Sequence, residues 1–249
     1  MVDVKLILGI VGNCIAVLMF LSPTPTFWNI VKNKSTQHFS GLPYVVTLFN
    51  CLLWVLYGTP LVIKGGILVI TINAAGVGFE IIFISLFLIY ADRKNRAKVV
   101  RLLAAVVLTF ITIASVTLLA IKSQNLRKME VGSICVIVTV AMYVAPLSVM
   151  KMVIRSKSVA FMPFFLSLFI FLNSAVWTGY GVFSKDIFIM IPNGVGTIFG
   201  IAQLALHAIY GRNSAPVDIE AVPPTKTVTK PYATKPSRTT DDHVENGDS

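Results

Sequence analysis

Seven apolar runs, each about 20 residues long, leave this chain few ways to fold. They lie near 8–30, 43–62, 67–90, 101–121, 131–153, 161–183 and 187–210. A helix of that length covers roughly 30 Å, the hydrocarbon thickness of a bilayer. The chain is 55% hydrophobic and only 13% charged, so a soluble domain of 249 residues has no interior large enough to hide it. The runs do not alternate with period two and are too long for barrel strands. The expected fold class is an all-α polytopic membrane protein with seven transmembrane helices. One Lys and no small-residue cleavage site precede the first run, so it reads as a retained helix, not a signal peptide.

The runs are not independent of one another. NCLLWVLYG (50–58) is echoed by NSAVWTGYG (173–181), with Asn, Trp, Tyr and Gly in the same places 123 residues on. MFLSPTPTFWNIVKNKS (19–35) meets MYVAPLSVMKMVIRSKS (142–158) at the same offset. Further on the offset becomes 120, and Asn73, Gly76, Phe79 and Tyr90 meet Asn193, Gly196, Phe199 and Tyr210. The three-residue change falls in a loop, where a deletion is tolerated. Spans 1–3 and 5–7 are therefore two copies of one three-helix unit. Three crossings reverse the side of the chain and span 4 restores it. The expected layout is 3+1+3, two parallel three-helix bundles. Residues 5–95 form the first repeat, 96–128 the linker helix and 129–212 the second repeat. Residues 213–249, rich in Pro, Thr and Lys, form a tail expected to be disordered. Parallel repeats with a site at their interface are a transporter pattern.

Charge sets the expected orientation. The loops after spans one, three and five, with the tail, hold 15 of the 21 cations. Positive loops stay cytoplasmic, which puts the N-terminus outside and the C-terminus inside. From Arg212 onward the chain carries five cations and six acids, so the net charge of +10 resides in short membrane-flanking loops. That distribution is explained by orientation and argues against nucleic acid as a partner. Cys14, Cys51 and Cys135 all fall inside spans at spacings that suit no metal, and no cofactor is expected. The triplet Asn33-Lys34-Ser35 falls in a cytoplasmic loop, out of reach of glycosylation.

The 3+1+3 plan, the paired prolines and the paired Asn and Trp resemble the SWEET sugar-transporter family. KSTQHFSGLPYVVTLFNCLLWVLYG and KSVAFMPFFLSLF look closest to plant members, and the resemblance covers about residues 5–212. It implies a facilitative, bidirectional sugar carrier that is not an enzyme. Its partners would be a small sugar and the lipid bilayer, with homo-oligomers possible. The plasma membrane is the expected location and the vacuolar membrane the alternative, with no sorting motif to decide.

Asn73 and Asn193 lie about six residues inside the outer ends of spans three and seven, a depth of roughly 9 Å. Trp54 and Trp177 lie at roughly 9–12 Å in spans two and six. Amides offer donors and acceptors to hydroxyls, and indoles offer flat faces to a pyranose ring. The resemblance makes Asn73, Asn193 and Trp177 sugar-site residues, with Trp54 at a position that varies in the family. The competing explanation is helix-bridging amides and space-filling indoles, and the matched repeat positions weigh against it. Asn50 and Asn173 lie one turn before the Trp pair, facing the same cavity. Sucrose-carrying family members tend to have a smaller residue there, so two Asn imply a narrower site and a monosaccharide such as glucose.

Pro23, Pro43, Pro146 and Pro163 fall in the cytoplasmic halves of spans one, two, five and six, where a proline permits a kink. The resemblance makes them inner-gate hinges. Pro43 and Pro163 are 120 apart between segments offset by 123, so they need not be equivalents. Tyr57, Lys64 and Asp186 lie nearer the outside, and the resemblance makes them outer-gate residues. Interfacial Tyr and exposed ion pairs are also ordinary features. Glu80 is the only acid in the middle of a span and faces Gly200 in the repeat, so a structural role is expected. Gln203 and His207 read as packing groups. Competing functions are a sucrose-type carrier, a proton-coupled PQ-loop exporter, and a non-transporting receptor or scaffold. The chain has no Pro-Gln pair, which counts against the exporter. A receptor has no reason to duplicate three spans.

Overall fold

A computed structural model describes residues 3–211. The tail expected at 213–249 lies outside the described residues. Those described are helical almost throughout. α1 (Val4–Leu21) and α2 (Thr24–Asn33) form the first span, α3 (Leu42–Gly58) the second and α4 (Ile67–Tyr90) the third. α5 (Arg93–Ser115) is the fourth and runs into a π-helical turn at Val116–Ala120. α6 (Gln124–Met142) and α7 (Val144–Ser156) form the fifth, α8 (Phe164–Phe183) the sixth and α9 (Ile187–Tyr210) the seventh. Six of these spans are long and apolar enough to cross a membrane, and α3 is an apolar helix of 17 residues.

The bounds differ from the hydropathy limits where polar chemistry decides. Span 2 stops at Gly58, four residues early, because Thr59 is extended and Pro60 has no N–H to continue the ladder. Span 4 starts at Arg93 because the Asp92 carboxylate accepts from the backbone N–H groups of Lys94 and Asn95. Spans 1 and 5 are each broken in two. Pro23 and Pro146 cannot donate to the carbonyls four residues back, which belong to Met19 and Met142, a pair 123 apart. The Met19 carbonyl instead accepts from Ser22.

The repeat is visible in backbone detail. Lys34 and Lys157, 123 apart, cap α2 and α7 in the left-handed region with φ of 50° and 51°. Gly65 and Lys185, 120 apart, take φ of 74° and 52° before α4 and α9. The Gly that ends each copy of the opening motif is a close approach. A Cβ on Gly181 would lie 2.7 Å from the Met190 backbone nitrogen, and one on Gly58 would lie 3.1 Å from the Gly66 carbonyl oxygen. Backbone cannot move aside as a side-chain tip can. Gly181→Ala should therefore destabilise by about 1–3 kcal/mol and lower the thermal midpoint in detergent by roughly 5 °C. Gly78→Ala, with nothing within 4 Å of the added methyl, should not lower it.

The packing divides into three cores. At one end a shared core joins the halves, with Leu53, Trp54 and Tyr57 against Val131, Cys135, Trp177 and Tyr180. At the other end each half keeps its own: Phe27, Val45, Phe83 and Phe87 with α5 in the first, and Met150, Val153 and Met162 in the second. The halves meet through α1 on α8 and α3 on α6, while α2 packs on α4 and α7 on α9. The helices thus converge at the Tyr57–Tyr180 end. They diverge at the end that carries the basic loops.

Candidate functional site

Each half contributes one wall of a cavity of about 340 Å³ between the bundles. Asn50, Trp54 and Asn73 line it from the first half, and Asn173, Trp177 and Asn193 from the second. All six residues singled out from the repeat therefore meet in one place. The amides of Asn73 and Asn193 donate to carbonyls one turn back, Val69 at 2.9 Å and Ile189 at 2.8 Å. Those carbonyls are themselves repeat partners, 120 apart. One N–H is thus tied to the helix on each side, which fixes the rotamer and leaves the rest of the amide for a ligand.

The indoles are also matched. Trp54 lies edge-on to Tyr57 at 5.4 Å and Trp177 edge-on to Tyr180 at 5.1 Å. Both Trp are buried and both Tyr lie above them in the shared core. The polar ends of the walls are not matched. Trp54 Nε1 donates to Thr139 Oγ1 at 3.1 Å, and Thr139 Oγ1 donates to Asn50 Oδ1 at 2.8 Å. Trp177 Nε1 bonds to no hydroxyl among the described residues, and its indole edge lies against Gly12. Asn173 Oδ1 is buried without a hydrogen-bond partner among the described residues.

At the converged end the cavity is closed by a latch. The Tyr57 hydroxyl lies 2.7 and 2.8 Å from the two carboxylate oxygens of Asp186 and donates to them across the halves. Lys128 Nζ pairs with the same carboxylate at 2.9 Å. Asp186 is 5% exposed and Tyr57 0%. Asp186 also caps α9 through the Phe188 N–H at 3.1 Å. Lys64 is exposed at the rim of the pocket above the latch, and Lys128 makes the contact expected of it.

The prolines mark the opposite end. Pro23 and Pro146 are half-buried at the breaks of spans 1 and 5, whereas Pro43 and Pro163 are exposed at the starts of α3 and α8. These last two remove no ladder bond, since N–H groups at a helix start are unpaired anyway. Their carbonyls accept from hydroxyls one turn on, Thr47 at 2.9 Å and Ser167 at 3.3 Å. Pro43 is the second residue of α3, while Pro163 precedes α8, which accounts for their irregular offset. A fifth proline, Pro192, lies inside α9 beside Asn193, and its carbonyl accepts from the Tyr143 hydroxyl at 3.2 Å.

Glu80 is buried away from the cavity, and its Oε2 has no hydrogen-bond partner among the described residues. Gln203 borders the cavity, and His207 stacks edge-on against Phe164. Thr139, Tyr143 and Lys128 were not singled out by the sequence. A Thr where the repeat has Ala16 was the only trace of the first. Among the described residues no cluster of His, Cys, Asp and Glu could hold a metal.

Residues 6–95 and 129–215 match one family model, described as a sugar efflux transporter for intercellular exchange. The bidirectional sugar transporter SWEET7 of Arabidopsis thaliana is 48% identical over 209 residues, which cover 84% of this chain and 81% of that one. SWEET1b of Oryza sativa subsp. indica, also a bidirectional sugar transporter, is 47% identical over 210 residues, covering 84% and 80%. A solved structure of a eukaryotic SWEET transporter aligns with a TM-score of 0.82 at 45% identity, covering 84% of this chain and 98% of that one.

Proposed function

The chain belongs to the SWEET family of sugar transporters, and from that premise we propose that it is a facilitative, energy-independent carrier of monosaccharides such as glucose, moving them in either direction. That it is an integral membrane sugar transporter and not an enzyme follows from the family. The finer reading rests on one observation: two matched Asn–Trp walls face one cavity, closed at one end by the Tyr57–Asp186 contact, with the halves packed into separate cores at the other. About 340 Å³ is near the lower limit for small-molecule sites, roughly 300–1,000 Å³. Asn50 and Asn173 take up room that a smaller side chain would leave to a second sugar ring. The indole faces suit the C–H face of a pyranose and the amides its hydroxyls. Each hydrogen bond replaces one to water, so affinity should be weak.

We assign the basic end to the cytoplasm by the positive-inside rule. The sugar would bind at mid-membrane, and the halves would rock about it. Breaking the Tyr57–Asp186 contact opens the outer end, and the proline-broken segments α2 and α7 then approach each other to close the inner end. Labelled glucose and sucrose entry into proteoliposomes tests this, with and without an imposed proton gradient. Glucose should enter at a rate that ignores the gradient, at least about ten times faster than sucrose. Asn50→Ser with Asn173→Ser should raise sucrose entry severalfold. Sucrose entry equal to glucose in the native chain would remove the size argument. Acceleration by the gradient would remove the uniport reading and turn attention to Glu80.

A further inference from the structure

Another cavity, of about 440 Å³, lies at the basic end, within the first half and apart from the sugar cavity. The loop from α2 to α3 brings Gln37, His38 and Ser40 to it, and α5 brings Asn95 and Lys98. Its floor is apolar. Phe87 and Val99 are buried there and press on Gly41, where an added Cβ would lie 3.1 and 2.7 Å from them. The rim is built of donors. The Ser40 oxygen accepts from the Leu42 N–H at 3.2 Å, which leaves its own O–H to donate, and an imidazole carries a ring N–H in either charge state. Lys94, Lys98 and Arg101 follow one another at helical spacing and make one basic stripe on α5. Among the described residues Asp92 is the only acid at this end, and its carboxylate is already bonded to the backbone of Lys94 and Asn95 and to the Asn95 amide. The fold does not need this rim. At the offset of 123 the second half has Ala160, Phe161 and Pro163 in place of Gln37, His38 and Ser40, and α5 has no counterpart in the repeat.

We propose that this cavity holds the phosphate of an anionic lipid headgroup from the cytoplasmic leaflet. Soluble phosphates share that chemistry, but two features favour a lipid. The floor is apolar, and α5 beyond it presents Val100, Val107 and Leu108 outward, the surface a bilayer covers. Basic pockets between spans on the cytoplasmic side suit such headgroups. The phosphate would sit among Lys98, His38 and Ser40, with the glycerol and first acyl carbons on Phe87, Val99 and Leu102. The loop that the lipid ties to α5 runs directly into α3 and Pro43, so a bound lipid steadies the inner end of the first half. The choice of leaflet rests on the cytoplasmic assignment of the basic end above; the site itself does not.

The test is binding of phosphatidylinositol 4-phosphate, carrying a fluorescent acyl chain, to the full chain in neutral detergent micelles, where orientation in a membrane does not enter. The native chain should bind it, and saturation should raise the thermal midpoint by about 3 °C. Lys98→Gln should weaken binding about fivefold, the scale of one cation beside a headgroup. Gln37→Ala with His38→Phe, the residues of the second half, should weaken it about tenfold. Lys151→Gln removes the same charge from the basic end but outside the cavity, and should weaken it less than about twofold. Gln37, Lys98 and Lys151 are exposed and His38 half-buried, so each midpoint without lipid should stay within about 1 °C of native. Equal weakening by Lys98→Gln and Lys151→Gln would overturn the proposal in favour of diffuse attraction to a basic face. The free headgroup, inositol 1,4-bisphosphate, gains nothing from the apolar floor and should displace the lipid only in more than about tenfold excess. Displacement at equal concentration would overturn the lipid and assign the cavity to a soluble phosphate. No binding to the native chain would overturn the site itself, and would leave the sugar-carrier reading untouched.

Discussion

Alanine at Asn73 or at Asn193 should cut glucose flux at least about 30-fold while the protein still reaches the membrane and keeps its thermal midpoint. The two side chains occupy equivalent places in the two halves and face one cavity. Each is held by a single bond to the carbonyl one turn back, at 2.9 and 2.8 Å. That bond orients the amide but is not needed by the helix, whose own ladder satisfies the same carbonyl. Alanine is also the better helix former. The loss is therefore confined to the site: one acceptor and one donor vanish from a wall, and water fills the space. The double variant should fall to background, because neither wall then carries a pivot for the sugar. A variant that retained a third of native flux at equal protein content would sink the assignment of these amides to the substrate. A variant absent from the membrane would instead assign them to helix packing.

These residues were legible because the chain writes its site twice. Asn73 with Asn193 and Trp54 with Trp177 recur at fixed offsets, and only a shared cavity needs the same polar groups from both halves. Span number and the bounds of α4 were legible for a simpler reason, since an apolar run bounded by Gly and Tyr can only be one helix. What the repeat could not reveal is what breaks it. Thr139 matters because Ala16 differs from it, and Lys128 because Gly66, not an acid, stands where the second half has Asp186. Lys64 and Lys128 both lie in loop-proximal positions on the outer side, and distance along the chain does not say which reaches the carboxylate. The prolines show the same limit. Their positions were plain, but whether each falls inside a helix or at its start depends on caps: Pro43 is in the first turn of α3 and Pro163 just ahead of α8.

Asp186→Asn should open the outer end and slow transport about tenfold. Asparagine keeps an oxygen for the Phe188 N–H, now bonded at 3.1 Å, so α9 stays capped. It removes the negative charge that holds Lys128 at 2.9 Å and receives the Tyr57 hydroxyl from the other half. The Tyr57 hydroxyl left behind is buried, while Lys128 is 32% exposed and keeps part of its hydration, so the latched state loses about 1–2 kcal/mol relative to the unlatched one. A shift of that size moves the resting population away from outer closure, and with it goes the ability to open the inner end under load. Cys135 reports the change directly, because it is 0% exposed in the core beneath the latch. In a Cys14→Ser, Cys51→Ser background, an impermeant thiol reagent added outside should label Cys135 about ten times faster in Asp186→Asn. Lys128→Met should act in the same direction and Tyr57→Phe more weakly, since phenylalanine removes a neutral donor only. Lys64→Met should change neither labelling nor flux, because its ammonium makes no ion pair among the described residues. If Lys64→Met exposed Cys135 and Lys128→Met did not, the outer closure of the working carrier would rest on the Lys64 contact inferred from family resemblance, and the pairing with Lys128 would be incidental to gating.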